Sequence, residues 1–281
     1  MRKALFIGTA AAFLFCTAGW GPFGHEKIRG EGPLVDREFD AAGAREVTLA
    51  AVGTLVIEQG DREGLRVRAQ ENIFEYLEIE NEDGHLSIGR KDRVNLDPGK
   101  PIRYELTVKN LDRIQLSASG DVLLGDIETG DFRIEIHGSG DLEGEDLRAK
   151  DVRIETHGSG DIALGDLRVE NLSARISGSG DIRVARTETR ELRVRIDGSG
   201  DVKIGGGETI EQTVSIHGSG DYSASGMKSD RADVSIHGSG DASIQADTAI
   251  EAEIHGSGNL HCRGKGKVRS NVHGSGNVIF H

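Results

Sequence analysis

A glycine-rich tetrapeptide recurs through the second half of the chain at nearly constant spacing, and this repeat limits the folds that the chain can adopt. Gly-Ser-Gly-Asp occurs six times at intervals of 20 residues between Gly138 and Asp241. A degenerate copy stands one period earlier at Ser119, and two Gly-Ser-Gly-Asn copies begin at Gly256 and Gly274 after steps of 18 residues. Self-similarity with a period of this size indicates a solenoid, in which each repeat is one unit stacked on its neighbours.

The residues around each copy alternate between apolar and polar, which is the two-residue period of a β-strand. Leu192, Val194 and Ile196 are an example. Such apolar positions are even-numbered, and because both spacings are even we expect the even positions from Ile114 to Phe280 to face one interior. The sequence therefore predicts an all-β fold, a parallel β-helix or β-solenoid with coils of about 20 residues and two or three short strands per coil.

Composition fits a thin core of aliphatic side chains. Apolar residues make up 36% of the chain, but only 4% of residues are aromatic and 40 are glycine.

The formal net charge of −13 at pH 7 argues against nucleic acid as a partner, since the phosphate backbone repels a polyanion. Cys262 aligns with apolar positions of earlier coils, so we expect it to be a buried, unreactive core residue.

The chain divides into four segments that differ in composition. The first segment, residues 1–18, begins with positively charged residues, continues with a short apolar run and is predicted to be a signal peptide. Lipidation of Cys16 is the alternative to simple cleavage. A flexible leader, an irregular N-terminal β cap region and the solenoid repeats follow, and the last two form one continuous domain, 36–281. No later apolar stretch is long enough to span a membrane. The four segments are 1–18, 19–35, 36–110 and 111–281.

Several local patterns resemble a known protein family. These are Arg37-Glu38-Phe39, Thr54–Gln59 followed by Gly60-Asp61, Asp83-Gly84-His85-Leu86-Ser87-Ile88, and the Ser-Gly-Asp iterations. Together they resemble the putative auto-transporter adhesin head GIN domain family over about residues 37–280. The resemblance implies a β-helical domain of the bacterial envelope and brings no catalytic signature with it.

The recurring pattern His-x-Ser-x-Asp, as in His137–Asp141, contains the residue types of a serine hydrolase. Along an extended strand these side chains stand about 7 Å apart, and the serine lies in the middle, whereas a triad needs the histidine between serine and acid. We therefore interpret the tetrapeptide as a structural turn whose Ser and Asp side chains bond nearby backbone N–H groups, and expect no catalytic residue. The turn residues concerned are Gly138, Ser139, Gly140, Asp141, Gly158, Ser159, Gly160, Asp161, Gly218, Ser219, Gly220 and Asp221.

Outward histidines also recur from coil to coil. A ladder of four, about 4.8 Å apart, is a candidate transition-metal site, but surface ladders are usually solvated. We therefore expect neither a metal nor a cofactor. The four histidines are His217, His237, His255 and His273.

These features predict a non-enzymatic, exported cell-envelope protein that displays polar ladders as a scaffold or adhesive surface. The alternative is a polysaccharide-binding or polysaccharide-acting β-helix protein, but such an enzyme needs paired carboxylates in a cleft. Tyr222 is moreover the only aromatic residue between positions 133 and 279. The expected partner is an envelope protein, a surface glycan or a second copy, and the expected location is the periplasm or the cell surface, associated with the outer membrane. The apolar Val278 and Phe280 of the last coil predict a homodimer formed tail to tail through that coil.

Overall fold

The computed structural model describes residues 26–281, which are built almost entirely of β-strands. Strands account for 65% of the structure, the coils contain about 20 residues, and they stack in parallel into a β-solenoid of about eight turns. The predicted fold class is therefore confirmed.

One 3₁₀ helix, Glu71–Glu75, interrupts the strands. The strands are β1 (Glu26–Arg29), β2 (Leu34–Phe39), β3 (Glu46–Leu49), β4 (Thr54–Gln59), β5 (Gly64–Gln70), β6 (Leu77–Glu82), β7 (His85–Arg90), β8 (Val94–Asp97), β9 (Arg103–Val108), β10 (Arg113–Leu116), β11 (Asp121–Leu124), β12 (Ile127–Glu128), β13 (Asp131–Ile136), β14 (Leu142–Gly144), β15 (Leu147–Thr156), β16 (Ile162–Ile176), β17 (Ile182–Glu188), β18 (Glu191–Ile196), β19 (Val202–Ile204), β20 (Gly207–Gly218), β21 (Tyr222–Gly238), β22 (Ala242–Gly256), β23 (Leu260–Arg263), β24 (Lys267–Gly274) and β25 (Val278–Phe280).

Each 20-residue coil presents three faces. The first face is the strand before the tetrapeptide, where residue pairs such as Ile134 and Ile154 stack in register. The second face is the strand after the tetrapeptide, where Leu142 stacks on Ile162. The third face follows a corner, and there Leu147 stacks on Leu167. Because partners are 20 residues apart on all three faces, every side chain meets its own equivalent in the next coil.

The inward side chains are even-numbered on two faces and odd-numbered on the third. Ile134 on the first face and Leu142 on the second are fully buried, as the alternation predicts. On the third face the buried residue is Leu147, so the prediction that even positions line the interior throughout is wrong there. The cause lies at the corner, where Glu145 and Asp146 are both exposed and shift the alternation by one residue. A second shift before the next first face restores it. The equivalents of Leu147 are Ile127, Leu167, Thr187, Gly207 and Met227.

The two coils with 18-residue spacing are shorter at the third face. In the pairing of β21 with β22, the four residues between Ser223 and Lys228 face a single residue of β22, and the one residue between Ser229 and Arg231 faces two. The first and second faces continue without a break, and Cys262 stacks on Ile244 in the second. Cys262 is fully buried, as predicted, and burial raises the pKa of its thiol to about 11.

The N-terminal part joins the solenoid through mixed pairing. Strands β3 and β4 pair in parallel with β10 and β11 of the first regular coil, whereas β5 pairs in antiparallel fashion with β2 on one side and β9 on the other. Strand β1, which lies in the segment predicted to be a flexible leader, pairs with β8. The leader prediction therefore does not hold for Glu26–Arg29, where backbone hydrogen bonds fix the chain. The predicted signal peptide, 1–18, and Cys16 lie outside the described residues.

The first-face strands form one continuous sheet with a distinct strand at each end. In spatial order the sheet runs β6, β7, β3, β10, β13, β15, β16, β18, β20, β21, β22 and β24. All of these strands are parallel except β6, which runs antiparallel to β7. Over the described range, 26–281, we find no helix that is long and apolar enough to cross a membrane.

Candidate functional site

The tetrapeptide forms the corner between the first and second faces, and its glycines touch the coil before them. A Cβ atom on Gly138 would lie 2.0 Å from the carbonyl oxygen of Ala118, and one on Gly140 would lie 1.9 Å from the carbonyl oxygen of Gly120. Both distances are far below van der Waals contact. Glycine is therefore required at this corner because backbone packs directly on backbone, and the repeat of the motif follows from the repeat of the coil.

The aspartates of the tetrapeptide form a hydrogen-bonded column, which we call the aspartate column. The backbone N–H of Asp141 donates to Oδ1 of Asp121 at 3.0 Å, and that of Asp161 donates to Oδ1 of Asp141 at 2.8 Å. The pattern continues to the last coils, where the N–H of Asn259 donates to Asp241 at 2.6 Å and that of Asn277 donates to Asn259 at 3.2 Å. Each carboxylate thus accepts a bond from the next coil, which offsets the repulsion between stacked charges. The column contains Asp121, Asp141, Asp161, Asp181, Asp201, Asp221 and Asp241, followed by Asn259 and Asn277.

The outward histidines that precede the tetrapeptide stack face to face in two groups. The ring centroids of His137 and His157 are 5.0 Å apart, and those from His217 to His273 follow one another at 4.9 Å. Nε2 of His255 lies 2.8 Å from Oε1 of Glu253, and this hydrogen bond lowers the pKa of the carboxyl. Rings stacked in parallel direct their nitrogens side by side, whereas a zinc ion needs nitrogens that converge at about 2.1 Å. Within residues 26–281, no group of three or more His, Cys, Asp or Glu side chains is arranged to hold a metal.

The tetrapeptide serines form an exposed column between the histidines and the aspartates. In the described part of the chain the hydroxyl of Ser219 has no hydrogen bond to His217 or Asp221, and the ring of His217 is approached instead by Ser215, whose Oγ lies 3.3 Å from Nδ1. Oδ1 of Asp197 approaches the same Nδ1 at 3.7 Å. A hydrolytic triad needs its serine and its acid on opposite ring nitrogens. The structure therefore does not assemble a triad here. The serine column consists of Ser119, Ser139, Ser159, Ser179, Ser199, Ser219, Ser239, Ser257 and Ser275.

A charged groove of about 690 Å³, which was not predicted from the sequence, crosses the start of the first face. Oppositely charged side chains alternate along it, and Nε of Arg45 lies 2.6 Å from Oδ2 of Asp112. An Arg-x-Glu pattern at coil spacing, as in Arg133-Ile134-Glu135, is the sequence signal that points to this region. The charged residues lining the groove are Arg45, Asp112, Asp131, Arg133, Asp151, Arg153, Glu191 and Arg193.

Glu135 is the buried carboxylate beside this groove, with only 4% of its surface exposed. Arg113 donates a hydrogen bond to it at 2.5 Å, Arg133 forms an ion pair with it, and Nε2 of His137 lies 3.7 Å away. Burial by itself raises the pKa of Glu135, but the hydrogen bond from Arg113 and the surrounding positive charges outweigh burial and hold the pKa below its usual range. The groove is therefore lined by paired charges and has an ionised carboxylate buried beside it.

A polar cluster inside the solenoid also escaped the sequence analysis. The hydroxyl of Tyr222 donates to Oε1 of Gln212 at 3.2 Å, and Nε2 of Gln212 donates to Oγ of Ser229 at 2.7 Å. Ser229 in turn donates to the carbonyl oxygen of Gln245 at 2.7 Å. Burial raises the pKa of the Tyr222 phenol. The cluster satisfies its own polar atoms and is closed to solvent, so its role is structural.

Comparisons with known proteins agree on one family and one fold. The model of the family described as putative auto-transporter adhesin, head GIN domain, matches residues 45–166 and 163–266. Among curated proteins, no sequence matches the chain.

Three crystal structures share the fold. A putative adhesin from Parabacteroides distasonis is 24% identical with a TM-score of 0.70, and the match covers 91% of this chain and 100% of that one. A putative lipid binding protein from the same organism is 24% identical with a TM-score of 0.72 and the same coverage. A putative adhesin from Parabacteroides merdae is 22% identical with a TM-score of 0.71, covering 91% of this chain and 99% of that one.

Proposed function

The chain belongs to the putative auto-transporter adhesin, head GIN domain family, and from this membership we propose that it is a non-catalytic adhesive scaffold of the bacterial envelope. The family and two of the three structural neighbours described above carry adhesin descriptions, which agrees with a protein that acts by binding. The finer parts of the proposal are export by the predicted signal peptide, 1–18, and residence in the periplasm or at the cell surface. The net charge of −13 favours a partner other than nucleic acid.

The observation that supports this role best is the parallel run of the exposed serine column and the aspartate column along the rod. The same donor and acceptor groups recur at each coil, about 4.8 Å apart. A partner with its own regular repeat, such as a surface glycan or an extended protein segment, can therefore make the same weak contact many times. Many linked weak contacts give tight overall binding without any deep pocket.

Binding of the signal-free chain to isolated bacterial envelopes tests the proposal. We expect saturable binding that weakens at least threefold when Ser199→Gln and Ser239→Gln place longer side chains on the serine column. The matched control changes two exposed third-face residues, Arg168→Gln and Glu188→Gln, which also leaves the net charge unaltered. The control should bind like the unmodified chain. Absence of saturable binding by the unmodified chain would refute the adhesive role, and an equal loss in both variants would refute contact through the serine column.

Polysaccharide binding or cleavage is the second candidate, and the charged groove is the observation that favours it. Asp131 and Asp151 stack in register within the groove, so two carboxylates lie on one surface. The side chain of Asp151, however, accepts a hydrogen bond from Asn171 and has the role of an ordered structural group. We expect acidic and neutral glycans incubated with the protein to release no new reducing ends. Release that disappears in Asp131→Asn would establish the enzymatic alternative.

A second copy of the chain is a further partner that a scaffold role allows. In the last coil, Val272 and Phe280 expose 38% and 48% of their surface, which is unusual among the apolar residues that the structure describes. The homodimer through the C-terminal coil predicted from the sequence would cover these side chains. Its tail-to-tail form stays a prediction.

A further inference from the structure

The two end strands of the first-face sheet each pair on one side only. Within the described residues, β6 pairs with β7 and β24 pairs with β22. Both end strands are well exposed: the alternate residues of β6 and nearly all residues of β24 face solvent. An exposed strand edge presents unpaired N–H and C=O groups that can accept another strand.

The two edges carry opposite charges. The outward residues of β6 are Glu78, Glu80 and Glu82, all exposed, and among residues 26–281 they form no ion pair. At the other end no acidic residue follows Glu253, whereas four cations do. Only one of the four lies within 4.0 Å of a described carboxylate, at 3.9 Å. The four cations are Arg263, Lys265, Lys267 and Arg269.

We propose that copies of the chain associate head to tail, with β24 of one copy pairing in antiparallel fashion with β6 of the next. When the second copy is placed by translation along the rod axis, its β6 meets β24 of the first copy in antiparallel orientation. This follows because β24 runs parallel to β7, whereas β6 runs antiparallel to β7. One register places Lys267 opposite Glu82 and Arg269 opposite Glu80. Opposite charges directly across an antiparallel pair attract each other and set its register.

The same register also matches the inward side chains. It places the exposed Val272 opposite Leu77, whose side chain is only partly buried in a single copy. A residue that faces outward in β24 meets one that faces outward in β6, so the pleat continues across the junction. Charge and apolar contact thus favour the same alignment.

Tail-to-tail pairing, which the sequence predicted, joins two β24 edges that each carry Lys267 and Arg269 and no acidic residue. Like charges placed opposite each other destabilise a strand pair. Head-to-tail contact uses two different surfaces and does not close after two copies, so the product is an open row of rods. This inference deepens the proposed scaffold role and rests on it, since a row of rods extends the serine column and the aspartate column.

Sedimentation velocity of the signal-free chain with two charge-reversal variants tests the inference. One variant carries Glu78→Lys, Glu80→Lys and Glu82→Lys, and the other carries Lys267→Glu and Arg269→Glu. We expect the unmodified chain to form oligomers at tens of micromolar at low salt, and to lose them at high salt because screening weakens attraction between exposed charges. Each variant alone should be monomeric, and an equimolar mixture of the two should assemble again. Circular dichroism checks that both variants are folded.

A charge exchange away from the edges is the matched control. Glu208→Lys combined with Lys228→Glu reverses an exposed ion pair in the middle of the rod and should leave assembly unchanged. A monomeric unmodified chain at low salt would overturn the inference, as would oligomers formed by the β6 variant alone or a mixture that stays monomeric. Envelope binding by a monomeric variant would show that the scaffold role survives even where assembly fails.

Discussion

Gly180→Ala is expected to destabilise the solenoid strongly although it adds a single methyl group. A Cβ atom at this position would lie 2.1 Å from the carbonyl oxygen of Gly160, so the two coils must separate by about 1 Å to restore contact distance. Overpacking of this kind costs about 1–3 kcal/mol. Weakening of the neighbouring bond from the N–H of Ser179 to the carbonyl of Gly158, now 3.0 Å, adds about 1 kcal/mol. Alanine also lowers the conformational entropy of the unfolded chain, which offsets about 0.4–1 kcal/mol of this destabilisation. The expected net loss is therefore about 1–3.5 kcal/mol.

Urea denaturation followed by circular dichroism measures this change in the free energy of unfolding. Gly130→Ala is the matched control, because a Cβ atom there meets no heavy atom within 4 Å. It should leave stability unchanged or raise it by up to about 1 kcal/mol. Equal midpoints for Gly180→Ala and the unmodified chain would refute direct backbone stacking at the tetrapeptide corner. A loss of the same size in both variants would show that the alanine acts through something other than the close approach.

Three further predictions concern the interior and the charged groove. Met227→Asp should destabilise the chain by several kcal/mol because it buries a charge on the odd-numbered third face, whereas Lys228→Asp should change the urea midpoint little. Tyr222→Phe leaves an oxygen of Gln212 without its donor and should cost about 1–3 kcal/mol in the same assay, with part of the loss recovered by adding Gln212→Leu. The lowered pKa of Glu135 means that its stabilising contribution is complete above about pH 4.3, the ordinary value, and is lost as the pH falls further. Thermal melts from pH 7 to about pH 3 should therefore lose less stability in Glu135→Gln than in the unmodified chain.

The coil and two of its faces could be predicted from the sequence because both leave periodic signals. The 20-residue step fixes the stacking partner of each residue, and alternation identifies buried side chains such as Ile134 and Leu142. The third face could not be predicted in this way. Two shifts of the alternation cancel within each coil, and some inward positions there, such as Thr187 and Gly207, are not apolar. A hydrophobic period is visible only where the buried residues are hydrophobic.

The site was predicted in its residue types but not in its contacts. Sequence reasoning expected local turn bonds for the Ser and Asp side chains, whereas the carboxylate of Asp141 accepts the N–H of Asp161, one coil away. The charged groove depends on the parallel pairing of the N-terminal strand β3 with β10 of the first coil, which places Arg45 beside Asp112. Those N-terminal strands do not repeat, so no period in the sequence reports their neighbours. The acidic edge formed by β6 was missed for the same reason.

The constant 20-residue step has a consequence for how such a protein can change its length during evolution. Each coil between Gly138 and Asp241 pairs with the coil before it and the coil after it, and it meets both through the same kinds of residue. Unequal recombination between two copies of the coding repeat would therefore insert or delete a whole coil. Every backbone ladder and the aspartate column would remain in register after that event. A single genetic step can thus lengthen or shorten the rod, and with it the number of contacts that it offers, without any new packing having to be found.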